Sequence, residues 1–199
     1  MNPSFVDKMN TSMNETLEDW SHNLVGKVSQ ELRFTDEINK AWSDEFGAFL
    51  MKYQSHAELY TSMGMRNLTP ETLNYRLEIT SGWFVRQFEN EYNPIHTHQG
   101  SLLSCVGYLK LPEGIEKEWE EDYKDHHPSN GHIQFVHGQA ANHEGSNFLM
   151  KPSVGDFIVF PAHLHHCVYP FKTVGERRSF SVNFTIVGSP KEKANEFNN

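Results

Sequence analysis

The second half of the chain consists of short extended segments, and this feature constrains the fold more than any other. Seven runs rich in β-branched or aromatic residues follow one another from about residue 76, each bounded by Gly, Pro, Asn or Ser. They read YRLEIT, GWFVRQFE, SLLSCVGYLKL, GHIQFVHG, GDFIVFP, HCVYPF and RSFSVNFTIV. Because no helical pattern separates them, they predict an antiparallel sandwich or jelly roll.

The first third of the chain has a helical pattern, with apolar residues at spacings of three and four. One predicted helix carries Leu17, Trp20, Leu24, Val28 and Leu32. A second begins after Thr35, which can cap it, and its apolar stripe is Ile38, Trp42, Phe46, Phe49 and Tyr53. We expect both helices to pack on one outer face of the β-structure.

Length, charge and composition indicate one soluble domain. We expect a helical part over residues 1–75, a β-core over 76–190 and a tail over 191–199. A formal net charge of -9 with no basic cluster argues against nucleic-acid binding. No apolar run approaches the roughly 20 residues of a membrane helix, and the N-terminus lacks a signal-peptide pattern. These features predict a cytoplasmic protein; its oligomeric state is open, with a homodimer as one option.

Two histidines flank one threonine in the stretch NPIHTHQGSLLS. On a strand, His96 and His98 would point to the same side, as in a metal chelate. The pattern alone proves little, since 12 histidines in 199 residues give roughly 0.7 such triplets by chance. His163 and His165 form a second triplet. The interpretation therefore depends on what surrounds the first.

A third histidine and an arginine follow near the end of the chain. His166 lies on an extended segment after the break at Pro161. Arg177 then opens a strand on which small polar residues share its face and Phe180, Val182 and Phe184 take the other. A guanidinium beside a hydroxyl suits bidentate binding of a carboxylate, which suggests a pocket for a small dicarboxylate. The alternative is a surface strand whose arginine contacts water.

Taken in order, these residues resemble the 2-oxoglutarate- and Fe(II)-dependent oxygenases. The matching motifs are His96-x-His98, Ser104, Tyr108-Leu109, Gly131-His132-Ile133-Gln134-Phe135, Pro152-x-x-Gly155-Asp156, Phe160-Pro161, His166-x-Val168-x-Pro170 and Arg177-x-Ser179. The most similar members are prolyl-hydroxylase-like oxygenases of marine bacteria and their phages. The resemblance covers residues 80 to 187 and is specific as a set, whereas the N-terminal helices match only in a general way.

The resemblance implies a mainly β fold, the cupin-like double-stranded β-helix, with Fe(II) at its mouth. His96 and His166 would be iron ligands. Arg177, helped by Ser179 and Tyr108, would bind the C5 carboxylate of 2-oxoglutarate while the 2-oxo acid end chelates the metal.

A register error of one residue would turn each strand over and change two of these assignments. Arg178 would then replace Arg177, and His165 would replace His166. No residue beyond the metal ligands is expected to act as an acid or base.

One position departs from the family pattern. The family has Asp or Glu two residues after the first histidine, completing a two-histidine, one-carboxylate triad; this chain has His98. A neutral imidazole leaves the site one charge more positive, which weakens cation binding and strengthens attraction for anionic 2-oxoglutarate. His98 is the preferred third ligand, with a carboxylate from Glu89, Glu91 or Asp156 as the alternative.

The implied activity is hydroxylation of an unidentified small-molecule or peptide substrate, using O2 and converting 2-oxoglutarate to succinate. Similarity to prolyl hydroxylases suggests a peptidyl proline. Two alternatives stay open: a cupin-like three-histidine metalloprotein that needs no 2-oxoglutarate, and a non-catalytic, phage-type structural protein on the same scaffold. The Arg177-x-Ser179 pair favours the oxygenase. The charged segment 114–130 is either a solvated loop or a lid over the site.

Overall fold

Two antiparallel sheets form the centre of the computed structural model, which describes residues 1–62, 73–120, 129–138 and 145–190. The helices are α1 (Pro3–Ser12) and α2 (Asp36–Ser62), with short 3-10 turns at Ser21–Asn23 and Ile115–Trp119. The strands are β1 (Gln30–Arg33), β2 (Leu73–Gln87), β3 (Asn93–His96), β4 (Leu103–Lys110), β5 (Ile133–Val136), β6 (Asn147–Met150), β7 (Phe157–Pro161), β8 (His165–Val168) and β9 (Arg177–Pro190).

The sheet order is that of a double-stranded β-helix. The larger sheet has the order β1-β2-β9-β4-β7, and the smaller has the order β3-β8-β5-β6. Strands distant in sequence are neighbours in both sheets, and every pairing between these strands is antiparallel. The predicted jelly roll is therefore confirmed.

Alternation along β9 and β4 divides the interior into two layers. One face of the larger sheet contributes Phe180, Val182 and Phe184 to a core that also contains residues of both helices. The opposite face contributes Val106 and Tyr108 to a second core between the sheets. The helices thus pack on one face of the β-structure, as predicted, and the polar face of β9 turns inward between the sheets.

The second predicted helix is confirmed at its start and corrected near its middle. The Thr35 hydroxyl accepts a hydrogen bond from the Ile38 amide at 3.4 Å. Phe49 and Tyr53 are exposed, however, and Leu50 is buried instead. The buried row continues from Trp42 and Phe46 to Leu50 at intervals of four, and Gly47 lies beside Leu77 of β2.

The predicted helix over residues 17 to 32 is wrong. The first helix is α1, which begins at Pro3 and is capped by Asn2, whose side chain accepts from the Ser4 amide. The later segment contains a 3-10 turn and β1, which pairs with β2 at the edge of the larger sheet. Its apolar spacing is helical, but pairing with β2 supplies backbone hydrogen bonds and buries Leu32, and this tertiary gain outweighs the weak helical preference.

The predicted strands are found, with one merger and three additions. The first two runs form one strand, β2, with an irregularity between Ile79 and Ser81. Strands β1, β3 and β6 are additional. Residues 121–128 of the charged segment and the predicted tail 191–199 lie outside the described residues. Within the described ranges, no helix is long and apolar enough to cross a membrane.

Candidate functional site

Three histidines converge between β3, β8 and the loop after β3. His96 at the end of β3 lies opposite His166 of β8 in the antiparallel pairing. His98 lies beyond the strand, where its backbone amide donates to Ala162 O at 2.8 Å. One potential ligand atom from each of His96, His98 and His166 lies within 4.8 Å of the others. The structure thus brings together the three predicted metal-ligand residues.

Backbone carbonyls set the tautomers of two of these rings. His96 Nδ1 lies 2.7 Å from Pro94 O, and His166 Nδ1 lies 2.9 Å from Leu164 O. Because a carbonyl oxygen only accepts, each Nδ1 carries the proton and donates it. The Nε2 atom of each neutral ring is therefore unprotonated, and its lone pair is available to ligate a metal.

Asn183 orients the third ring. Its Nδ2 lies 3.4 Å from His98 Nδ1 and donates to Ser81 Oγ at 3.2 Å, while its Oδ1 accepts from Ser104 Oγ at 2.8 Å. His98 Nε2 lies 3.2 Å from His166 Nε2. In this arrangement His98 accepts at Nδ1 and carries its proton on Nε2, which it donates to His166.

Burial keeps the cluster uncharged. It lowers the pKa of His98 to about 3, helped by the nearby His166 and His96 rings. It lowers the pKa of His166 to about 4 and also lowers that of His96, each against the effect of its backbone hydrogen bond. All three imidazoles are therefore neutral at pH 7, and metal ions bind only the neutral form.

The other ligand candidates lie elsewhere. His163 and His165 are exposed, so the fallback to His165 is not needed. None of the three candidate carboxylates belongs to the histidine cluster. Glu91 instead accepts from the Ser29 and Phe88 amides, and Asp156 accepts from the Ser153 amide in its turn.

Arg177 is buried in the same inner cavity as the histidines. We call this space the inner cavity; its polar lining consists of His96, His98, Tyr108, His166, Arg177, Ser179 and Ser181. Only 2% of Arg177 is exposed. Its Nη1 donates to Gly131 O at 2.9 Å and its Nη2 donates to Gln87 Oε1, but its Nε has no hydrogen-bond partner among the described residues.

Tyr108 and Ser179 complete the polar end of this cavity. They face each other across the β4–β9 pairing. The Arg177 guanidinium carbon lies 5.9 Å from the centre of the Tyr108 ring. Burial raises the pKa of Tyr108, so its hydroxyl is a neutral donor, and in the described part of the chain that hydroxyl has no partner.

The neighbouring Arg178 has a different environment, which excludes the register alternative. It points to the other side of β9 and forms an ion pair with Glu176 at 2.8 Å. Arg86 and Lys110 contact the same carboxylate. These three cations hold the pKa of Glu176 at about 2 despite its burial. Arg178 is thus paired outside the cavity, whereas Arg177 faces into it.

The sequence from residue 81 to 183 matches the family described as "Putative 2OG-Fe(II) oxygenase". This stretch is just over half of the chain and contains all three clustered histidines and Arg177. The chain belongs to this family. It is a 2-oxoglutarate-dependent oxygenase, an enzyme class with Fe(II) as cofactor and 2-oxoglutarate as co-substrate.

Solved structures share the fold of this oxygenase at low sequence identity. A prolyl-4-hydroxylase of Pseudomonas putida has a TM-score of 0.54 and 15% identity, covering 92% of this chain and 87% of its own. HygX of Streptomyces hygroscopicus, solved with nickel and 2-oxoglutarate, has a TM-score of 0.53 and 11% identity, covering 92% of this chain and 79% of its own. No curated protein matches the sequence.

Sequence reasoning did not assign roles to several residues of the site. Asn183 shares the Arg177 face of β9 by alternation, but its contact with His98 depends on the loop after β3. Gln87 shares its face of β2 with Trp83 and Val85, so alternation could have found it. Glu31, which lines a second cavity beside the histidines, was hidden by the wrong helix assignment.

Proposed function

We propose that this oxygenase binds Fe(II) through His96, His98 and His166 and binds the C5 carboxylate of 2-oxoglutarate through Arg177. It would hydroxylate a C–H bond of a substrate whose identity is open, with a peptidyl proline as the candidate that the prolyl-hydroxylase likeness suggests. When bound, Fe(II) and 2-oxoglutarate supply the chemistry: O2 oxidises the 2-oxo acid to succinate and CO2, and one oxygen atom enters the substrate.

The observation that carries this proposal is a buried guanidinium without a counterion. Taking a cation out of water costs several kcal/mol unless an anion compensates it. In the described ranges, Arg177 forms no ion pair, whereas neighbouring Arg178 and Arg86 both pair with Glu176. A dicarboxylate in the inner cavity would supply the missing charge. Arg177 Nε and the Tyr108 hydroxyl are available as donors to it.

The donor set fits Fe(II) with one adjustment at His98. Imidazole nitrogens are suitable ligands for Fe(II), and the Nε2 atoms of His96 and His166 are already unprotonated. His98 becomes equivalent when the Asn183 amide rotates by half a turn, so that Oδ1 accepts from His98 Nδ1–H. The amide's other partners, Ser81 and Ser104, are hydroxyls that both donate and accept, so they can follow the rotation without losing bonds.

The inner cavity must widen for 2-oxoglutarate. Its free space is about 30 Å³, close to the volume of one water molecule. Gln87 Oε1 accepts a hydrogen bond from Arg177 Nη2, and we expect the carboxylate to displace it. Ser179 and Tyr108 would then hold the second carboxylate oxygen, while the surrounding apolar side chains exclude water. Two charge-assisted hydrogen bonds from Arg177 would contribute roughly 3 kcal/mol or more to binding.

Anaerobic titration tests the proposal. Fe(II) and 2-oxoglutarate together should give a visible charge-transfer band in the wild type. His166→Ala should abolish the band, and Arg177→Met should weaken 2-oxoglutarate binding by about a hundredfold. Two neighbouring residues provide matched controls. His165→Ala and Arg178→Met change the same residue types outside the cavity and should keep the band.

Three outcomes contradict the proposal in different ways. If iron binds but neither the band nor succinate appears, the co-substrate claim is wrong and a cupin-like activity is favoured. If no divalent metal binds at all, the metal claim is wrong and the scaffold alternative is favoured. If His98→Ala leaves metal affinity unchanged, His98 is not a ligand.

A further inference from the structure

A second cavity opens beside the histidines, on the side away from Arg177. We call it the outer cavity; its lining includes Trp20, Leu24, Glu31, Trp83, His96 and His98, and its volume is about 350 Å³. His96, His98 and Trp83 line both cavities. A molecule in the outer cavity would therefore lie against the proposed metal ligands, where the hydroxylated carbon has to be.

Glu31 is the unusual residue of the outer cavity. Only 2% of it is exposed, and its Oε2 has no hydrogen-bond partner within the described ranges. The backbone holds the residue firmly: its amide donates to Ser21 Oγ at 3.2 Å and its carbonyl accepts from the Trp20 amide at 2.7 Å. A buried acceptor without a donor is unfavourable, so the presence of one at this place calls for a reason.

A second unpaired acceptor lies close by. Asn93 Oδ1 is also buried and has no donor in the described part of the protein. Both this oxygen and Glu31 Oε1 lie within 3.0 Å of the point where a side chain on Gly26 would begin. The two residues thus bring acceptor oxygens close together beside Gly26. Of the two, Glu31 lines the outer cavity, and the group that would match its carboxylate there is one with several N–H donors.

The surrounding charges favour a cationic group. Asp19 is close enough to Glu31 for their negative charges to interact unfavourably. The nearby Arg33 is already engaged, since it pairs with Glu18 at 3.2 Å and lies over the Trp20 ring at 4.5 Å. Among the described residues, Glu31 itself has no ion pair. An ammonium group offers three donors and one positive charge, which is what the site lacks.

We propose, building on the proposed function, that the outer cavity is the prime-substrate site and that Glu31 binds a protonated amine of that substrate. The substrate would carry the ammonium group on a short apolar chain that contacts Leu24 and the two tryptophans. The hydroxylated carbon would then be only a few bonds from the nitrogen, beside His96 and His98. Glu31 would be a specificity-determining residue, in contact with substrate but not with the metal.

The test compares two probes of equal length, n-butylammonium and 1-butanol, on the metal-free protein at pH 8. Dissociation constants are measured by ligand-observed NMR. The wild type should prefer the ammonium at least tenfold. Glu31→Gln keeps the shape of the side chain and should lose this preference. Glu45→Gln makes the same change at an exposed position of α2 that does not line the outer cavity, and it should keep the preference.

Two results of this binding test would contradict the inference but not the proposed function. A wild type that does not prefer the ammonium, or a Glu31→Gln variant that still does, shows that Glu31 does not select amines. The anaerobic Fe(II) and 2-oxoglutarate band should be unchanged in Glu31→Gln. If that substitution abolishes the band, Glu31 acts at the metal and not on substrate. Loss of the band in the wild type would instead refute the proposed function.

Discussion

Replacing Glu31 by Gln should make the protein more stable at alkaline pH and leave it nearly unchanged in acid. Burial, reinforced by the charge of Asp19, raises the pKa of Glu31 from its ordinary value of 4.5 to about 7. The folded state thus favours the protonated acid, and its contribution to stability is lost as pH rises from 4.5 through 7. Glutamine stays neutral throughout, so the variant escapes this loss.

The size of the effect follows from the pKa change. Each pKa unit corresponds to about 1.4 kcal/mol, so the rise from 4.5 to about 7 amounts to roughly 3 kcal/mol once the carboxyl is fully ionised. Most of this difference, roughly 2 to 3 kcal/mol, should develop between pH 5 and pH 8. The free energy of unfolding of the metal-free protein would be measured by urea denaturation at both pH values.

Comparing Glu31→Gln with the wild type at each pH removes the contributions of the titrating groups that both proteins share. The difference between Glu31→Gln and wild type should grow with pH, in favour of the variant. Glu45→Gln removes an exposed carboxylate on α2 and should show no such growth. A Glu31→Gln variant that is less stable than the wild type at pH 8 would refute the reasoning, because it would mean that the carboxylate is satisfied in the folded state.

Three further results are expected. Asn183→Leu removes the partner of His98 Nδ1 and should weaken Fe(II) binding about 10- to 100-fold in a competition titration; unchanged affinity would mean that the amide does not orient the ring. Gly107→Ala should destabilise by about 1 to 3 kcal/mol in urea, because the new Cβ would lie 2.3 Å from the Phe180 ring; Gly145→Ala, which meets nothing within 4 Å, is the control and should change little. At a hundred times its wild-type dissociation constant, 2-oxoglutarate should stabilise the wild type by about 2.7 kcal/mol but Arg177→Met, which binds it about a hundredfold more weakly, by only about 0.4 kcal/mol in a thermal shift assay.

The β-structure of the chain could be predicted because its signals are local. Alternation placed Arg177 and Ser179 on one face of β9 and Phe180 on the other, and the structure has this arrangement. The edge strand β1 could not be predicted in this way. Its apolar spacing suits a helix equally well, and pairing with β2, whose paired residues lie fifty or more positions away, decides the outcome.

The residues of the site divide in the same way, into those with local sequence signals and those whose role depends on distant contacts. The residue types His96, His98, His166 and Arg177 and their order indicated the chemistry. Alternation puts the two adjacent arginines on opposite faces of β9, but which of them faces the inner cavity depends on the strand register and on how the sheets pack. The role of Asn183 could not be predicted, since it depends on how the loop carrying His98 folds back over β9. The role of Glu31 could not be predicted either, because its position depends on the pairing of β1 with β2.

The central claim is that three imidazoles and one guanidinium act together on one iron and one diacid. Its most direct test is an anaerobic crystal structure with Fe(II) and 2-oxoglutarate. We predict that Nε2 of His96, His98 and His166 all ligate the metal and that Arg177 holds a carboxylate of 2-oxoglutarate. A metal bound without His98, or a diacid that lies away from Arg177, would contradict the account.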